Sequence, residues 1–307
     1  MGIVTIKTKE RFQELGDIDG FLAYKGVKLR RNTYYIVCPY GIGDTLYIAS
    51  LMKSYRRNHS EIQRLCLIVK KGHYQIPDWF DAVDEKIVSD IMVNDLNVFS
   101  VLTGTWKLKN YLYGHFRKSE NWELLPEYQD CEIKNMVYRY KRLVLHLPPD
   151  CAMEEPKILP NPELQMGLME EYQIGEKTII LMPYANSTCL MENGFWENLV
   201  GLFNRLGYQV VTNVKGDDEF PIKGTRGLCA DIATMAALCE FCGLVITLRS
   251  GLSDVLAFTE TKLVVINNRE YHFNEWNLDA ATNRKNLYSL LIGRDDIPRF
   301  ILNILCE

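Results

Sequence analysis

Apolar residues along this chain fall into short continuous runs, separated by segments in which they recur every three or four positions. Buried strands alternating with helices give that pattern. The first clear run is Tyr34-Tyr-Ile-Val-Cys-Pro-Tyr40, followed by a glycine turn and a helix over 45–57 carrying Leu46, Ala49, Leu51, Met52 and Tyr55. Leu65-Cys-Leu-Ile-Val69 is a second buried strand, which completes a strand–helix–strand unit. Asp78-Trp-Phe-Asp and Lys86-Ile-Val-Ser continue the alternation weakly. Residues 90–150 read as helical segments rich in aromatics, such as Tyr111-Leu-Tyr-Gly-His-Phe and Asn135-Met-Val-Tyr-Arg-Tyr.

Pro148, Pro149, Pro156, Pro160 and Pro162 then interrupt the pattern, as an interdomain connection does, and put a boundary within 155–175. Beyond it the alternation restarts. Strands are predicted over 178–182, 208–212, 244–248 and 262–266, and helices over 194–206 and from Asp231 to about 241. A short helix opens at Ser250, and the stretch from Pro298 to Cys306 closes the chain as a last helix. The fold class is therefore α/β, with two Rossmann-like domains facing each other across a cleft and ligands at the carboxyl ends of the strands.

Composition removes several alternatives. The chain has 307 residues, 47% hydrophobic and 24% charged, a globular balance that excludes a disordered tail, a disulfide scaffold and a fibrous repeat. No apolar stretch is long enough to span a bilayer and no leader pattern opens the chain, so a soluble, cytoplasmic protein is expected. Nine cysteines lie scattered, several inside apolar runs, and read as reduced, buried thiols. Cys239 and Cys242 form a CxxC within a helical pattern, with no second pair or neighbouring histidine to complete a zinc site. Residues 1–150 hold 22 Lys/Arg against 18 Asp/Glu, and the remainder 13 against 21, so a first half at +4 is joined to a second at −8. Nucleic-acid binding is not indicated, but the basic clusters of the first half suit an anionic acceptor or a peripheral contact with a membrane face.

Three loops follow strands and open helices. The first, Pro39-Tyr-Gly41-Ile42-Gly43-Asp44-Thr45, has only the first two glycines of a dinucleotide fingerprint, because Leu46 stands at the third. Its glycines let backbone approach a ligand, and Asp44 at the helix start is a cap, a base held ionised, or both. The second, Met182-Pro-Tyr184-Ala-Asn186-Ser187-Thr188, offers hydroxyl and amide donors to a phosphate, which is equally ordinary loop composition. The third, Thr247-Leu-Arg249-Ser250-Gly251-Leu252-Ser253-Asp254, combines free backbone N–H groups at a turn with a guanidinium. Arg249 there is a bidentate phosphate partner or the partner of an acidic neighbour. Asp254 binds a hydroxyl or fixes Arg249.

In this order, and with Phe195-Trp196-Glu-Asn-Leu and Gly227-Leu-Cys-Ala-Asp-Ile-Ala between the second and third, the loops resemble those of the heptosyltransferase-like glycosyltransferases of family 9, bacterial enzymes with the GT-B fold. The resemblance covers about residues 34–70 and 176–270. It implies that Asp44 is the catalytic base beside Gly41, Ile42 and Gly43 on the acceptor side. It also implies that Ser187, Thr188, Ser250, Gly251 and Leu252 hold the donor diphosphate, and the residues themselves add Asn186, Arg249 and Asp254 to the donor-binding group. Residues 1–160 would form the acceptor domain and 161–307 the donor domain, with the closing helix packing back on the first. Departures are specific: Arg249 stands where the family has Asp, Asp254 where it has His, and no Lys lies between Cys189 and Phe195.

The implied activity is inverting transfer of a sugar from a nucleotide-diphosphate donor to a hydroxyl of a glycan or lipid-linked acceptor, without metal or other cofactor. Its work belongs to lipopolysaccharide or polysaccharide synthesis. Rival readings are a metal-dependent enzyme using Asp17-Ile-Asp19, a sugar-nucleotide epimerase or hydrolase, and a binding module with no catalysis. Trp106, Tyr111, Tyr113, His115 and Phe116 either line an acceptor site or belong to the core.

Overall fold

A computed structural model describes residues 30, 33–38, 41–88, 98–103, 108–113, 136–141, 145, 147–186, 190–267, 278, 282, 284–292 and 297–306. The chain divides into two compact units, Met1–Lys157 and Ile158–Glu307. Asp17 and Asp19 lie outside the described residues, as do Trp106, His115 and Phe116.

In the first unit β1 (Thr33–Cys38), buried along its whole length, pairs in parallel with β2 (Arg64–Val69), and β2 with β3 (Glu85–Val88). On the other side of β1 run β4 (Val98–Thr103) and β5 (Leu108–Tyr113), both antiparallel to their neighbours. The sheet order is β3-β2-β1-β4-β5, so this sheet is mixed. Tyr111-Leu-Tyr, expected to be helical, is therefore strand. A three-residue apolar run has no readable period, and pairing with β4 decides it.

The helix expected over 45–57 starts earlier and is broken: α1 (Ile42–Ser50) and α2 (Met52–Asn58) flank Leu51, whose N–H bonds to Ile48 O at 3.2 Å. That three-residue bond tightens the turn and lets α2 leave at a new angle. Further on, the chain contributes a short helix α3 (Met136–Arg139). The proline-rich stretch is then strapped to the unit by Ser54 Oγ to Ala152 O (2.7 Å), Glu154 N to Ser50 O (2.7 Å) and Lys157 N to Trp79 O (2.9 Å).

The second unit begins with α4 (Pro162–Tyr172), whose start is capped by the Asn161 side chain accepting from Glu163 N and Leu164 N. Its strands are β6 (Thr178–Met182), β7 (Gln209–Asn213), β8 (Arg226–Leu228), β9 (Leu244–Leu248), β10 (Leu263–Asn267) and β11 (Leu287–Leu291). All pair in parallel, in the order β11-β10-β9-β6-β7-β8. Counted within the unit this is the order 3-2-1-4-5-6 of dinucleotide-binding sheets, with its reversal between β6 and β9.

Between the strands run α5 (Asn193–Arg205), α6 (Ile232–Phe241) and α7 (Gly251–Leu256). Trp196, Leu199, Val200 and Phe203 form one face of α5 at helical spacing and pack with Ile179, Leu181, Ile246 and Leu248 of the sheet. The closing helix α8 (Ile297–Cys306) places Ile297, Ile301 and Ile304 in this same core. Its apolar stripe is thus used within the second unit.

Gly243, just before β9, brings backbone against backbone: its N–H donates to Thr178 O at 2.9 Å, and a Cβ there would stand 2.1 Å from Glu176 O. Gly243→Ala should cost about 1–3 kcal/mol, since the obstacle is main chain and cannot rotate away. Urea unfolding of the variant checks this, and an unchanged midpoint would mean that β6 and β9 are less closely apposed.

Cys38, Cys66 and Cys239 are buried free thiols and Cys229 is exposed. Burial pushes Cys66 up to about 12, and Cys38 and Cys239 upward as well. A thiol raised in this way stays protonated and unreactive near neutral pH. Native-state treatment with iodoacetamide, followed by peptide mapping, should modify Cys229 and leave Cys38, Cys66 and Cys239 intact until the chain is denatured.

Candidate functional site

The register of the first sheet sets Cys38 opposite Val69, so the segments after β1 and β2 leave from the same edge. On the β1 side Gly41 is the N-cap of α1, in an extended conformation (φ −82°, ψ 178°). Asp44, at the third helical position, turns back so that Oδ2 accepts the Gly41 N–H at 2.8 Å. A Cβ on residue 41 would lie 3.1 Å from that oxygen, which is why glycine suits the position. Asp44 is only 7% exposed, and a carboxylate in a first helical turn faces unpaired N–H groups that favour its charge. Its second oxygen, Oδ1, accepts the phenol O–H of Tyr140.

Around the carboxylate stand other polar groups. Thr45 Oγ1 donates to Gly41 O at 3.1 Å and lies 3.0 Å from His73 Nδ1. The imidazole tautomer sets which of the two donates in that contact. Lys70 follows β2 directly; burial lowers its ammonium below the usual lysine range, and the Asp44 charge acts in the opposite sense. The Cys38 thiol at the end of β1 is pushed up by burial first and by Asp44 second. The arrangement is a buried, doubly hydrogen-bonded carboxylate at a strand end, with a cation and an imidazole in its neighbourhood.

In the second unit Met182 pairs with Thr247, so the segments after β6 and β9 emerge side by side at the point where strand order reverses. Ligands bind such switch points because the two flanking connections diverge and leave a crevice. Asn186 is exposed there, while Ser187 and Thr188 lie outside the described residues.

Arg249, Ser250 and Asp254 are brought together as a closed cluster. Ser250 caps α7, with its Oγ accepting Ser253 N at 3.4 Å and its own N–H donating to Ser253 Oγ at 3.0 Å. This box uses the amides of Ser250 and Ser253 and makes no use of those of Gly251 and Leu252. The Arg249 guanidinium, 6% exposed, pairs bidentately with Asp254: Nη1 to Oδ2 at 2.9 Å and Nη2 to Oδ1 at 2.7 Å. Nη1 also donates to Ser250 O at 2.8 Å and lies 3.2 Å from Ser253 Oγ. Of the two partners the sequence left open for Arg249, the structure shows the carboxylate five residues on, which shares its burial.

Sequence reading missed Tyr140 and His73, and had Lys70 only as a member of a basic cluster. A carboxylate inside a mostly buried helix implies donors, but nothing in the chain indicates which of 17 tyrosines supplies one. Among the described residues no group of three or more His, Cys, Asp or Glu is placed to hold a metal, and no helix is long and apolar enough to cross a membrane.

No family model matches the chain, and no curated protein matches it by sequence. Solved structures do match. The ADP-heptose LPS heptosyltransferase II of E. coli aligns over 88% of this chain and 96% of its own, with 14% identity and a TM-score of 0.57. A glycosyl transferase family 9 protein from Veillonella parvula DSM 2008 aligns over 90% and 92%, again with 14% identity and a TM-score of 0.57. The chain is heptosyltransferase-like in fold. The heptosyltransferase-like order of loops read from the sequence is thus carried on the corresponding fold, and at this identity the likeness is one of architecture.

Removing one partner of the Arg249–Asp254 pair leaves the other charged and buried. Asp254→Ala should destabilise the protein by about 3–5 kcal/mol in urea unfolding, whereas Arg249→Met combined with Asp254→Leu should recover most of the loss. A loss under about 1 kcal/mol in the single variant would show the pair to be solvated.

Proposed function

We propose that this protein is a glycosyltransferase of the GT-B kind, moving a sugar from a nucleotide-diphosphate donor to a hydroxyl of a glycan or lipid-linked acceptor. In this reading the first unit takes the acceptor and the second takes the donor. The observation that carries it is the Asp44 carboxylate, held by two donors at the carboxyl edge of the first sheet, in a chain whose fold is that of glycosyltransferases.

Each Asp44 oxygen uses one acceptor direction on its donor and keeps another, so it can still receive a proton. The acceptor hydroxyl attacks the anomeric carbon in line, its proton passes to Asp44, and the bond from that carbon to the diphosphate oxygen breaks on the opposite face with inversion. The leaving diphosphate is met by Asn186, Ser187 and Thr188 and by the amides of Gly251 and Leu252. Arg249 contributes indirectly, because its pairing with Asp254 and its bond to Ser250 O hold the turn in shape. No step calls on a metal. On this reading the enzyme works at the cytoplasmic side of lipopolysaccharide or polysaccharide synthesis, with the basic first half against an anionic acceptor or membrane face.

The closed Arg249–Asp254 pair favours one rival, a module that binds a nucleotide or glycan without catalysis, since the guanidinium that would assist departure is engaged. Turnover separates the two. Asp44→Asn should lower kcat by about 10²- to 10⁴-fold while the donor dissociation constant stays within about twofold. Release of nucleoside diphosphate from a panel of ADP-, GDP- and UDP-sugars measures the first and a thermal-shift titration the second, and wild-type turnover should survive EDTA. Full activity in Asp44→Asn would sink the base assignment, and no turnover of any donor by the wild type would favour the binding module.

A further inference from the structure

Asp44 is held by two separate segments. Gly41, in its own loop, supplies the donor that the helix start requires. The second donor, Tyr140, lies 96 residues further along the chain and is fully buried. Helix capping does not call for it, and a phenol in that position brings a polar group into the core that must itself be paired. Its ring is fixed by the same helix that carries Asp44: Tyr47, one turn on in α1, stacks with Tyr140 at a centroid separation of 6.2 Å and an interplanar angle of 27°. The backbone beside it is tied down by Leu145 N to Tyr140 O (3.1 Å) and Leu147 N to Lys141 O (2.7 Å).

The titratable and charged groups that bear on the carboxylate come from every side of this corner. Cys38 ends β1, Lys70 follows β2, and His73 reaches α1 through Thr45. Of these, Tyr140 is the group that donates directly to Oδ1. A donor on Oδ1 restricts rotation of the carboxylate about its last bond and leaves a fixed direction for a second hydrogen bond.

We propose that Tyr140 is a positioning residue for the transfer reaction: its O–H holds the Asp44 carboxylate turned so that the remaining acceptor direction meets the incoming hydroxyl. The inference rests on the reading of Asp44 as the base. The phenol keeps its proton throughout, and the acceptor proton goes to Asp44.

The test uses the full chain as wild type, Tyr140→Phe, Asp44→Asn and the double variant. Tyr140→Phe removes a hydrogen bond to a charged group and should lower kcat about tenfold or more, with the donor KM within about twofold. In thermal unfolding at neutral pH the two single substitutions should be non-additive, the double variant melting close to the lower single. Non-additive melting with unchanged kcat would make Tyr140 a structural partner only and overturn the proposal. Additive melting would overturn the hydrogen bond itself. A wild type that turns over no donor in the ADP-, GDP- and UDP-sugar panel would overturn the transferase reading and the catalytic role with it, and the melting cycle would still report the bond separately.

Discussion

A parallel strand buried on both faces can carry polar chemistry only at its ends, and that constraint organises both units. β1, β6, β9 and β10 are buried at every position, so no side chain along them is free to meet water or a ligand. Polar groups are displaced to the carboxyl edge, where the chain turns into a helix whose first amides are unpaired. Asp44, Lys70 and His73 in the first unit lie past such ends, as do Asn186 and the Arg249–Asp254 cluster in the second. In the second unit the strand order reverses between β6 and β9, so two of the three loops singled out from the sequence become neighbours through topology alone.

Charges at such an edge are half inside the protein and have to be compensated locally. The two clusters do so differently. Asp44 receives a neutral amide and a neutral phenol, which leaves its charge available to a partner that carries a proton. Arg249 and Asp254 compensate each other, which removes both charges from what a ligand meets at the turn. The first arrangement leaves a net charge at the sheet edge, and the second cancels two charges against each other.

How much of this was legible follows the same physics. β1, β2, β6, β9 and β10 are largely continuous apolar runs, and α5, α6 and α7 carry helical spacing or a capping serine or aspartate, so their signals are local and strong. β8 is three residues long with one apolar side chain, and β11, Leu-Tyr-Ser-Leu-Leu at the opposite edge of the sheet, is a short apolar run whose period does not separate strand from helix. Tyr111 to Tyr113 took its conformation from pairing with β4, and the break at Leu51 comes from a single tightened hydrogen bond; neither leaves a mark in a window of sequence. At the site, the Asp44 turn and the Ser250 cap were readable because each is settled within four residues. For Arg249 the sequence left two partners open, and burial chose the carboxylate. Tyr140 was invisible, since a contact across 96 residues has no local pattern.

The charge division sharpens once the Arg249 pair is known. On the proposed reading the half at −8 must hold an anionic diphosphate, and the obvious cation at its switch point is already neutralised. Attraction then has to come from dipoles, meaning backbone N–H groups at the α7 turn and the hydroxyls and amide of the β6 loop. Dipoles act over a few ångströms, so they do not draw a ligand from a distance but recognise it on contact, where hydrogen-bond direction selects for phosphate geometry. Long-range attraction belongs to the half at +4, where the basic clusters lie. A nucleotide-sugar donor, present as a small freely diffusing molecule, needs only contact recognition. A large anionic acceptor that must be gathered from a surface gains most from a long-range field, and the uneven distribution of charge along this chain matches that difference.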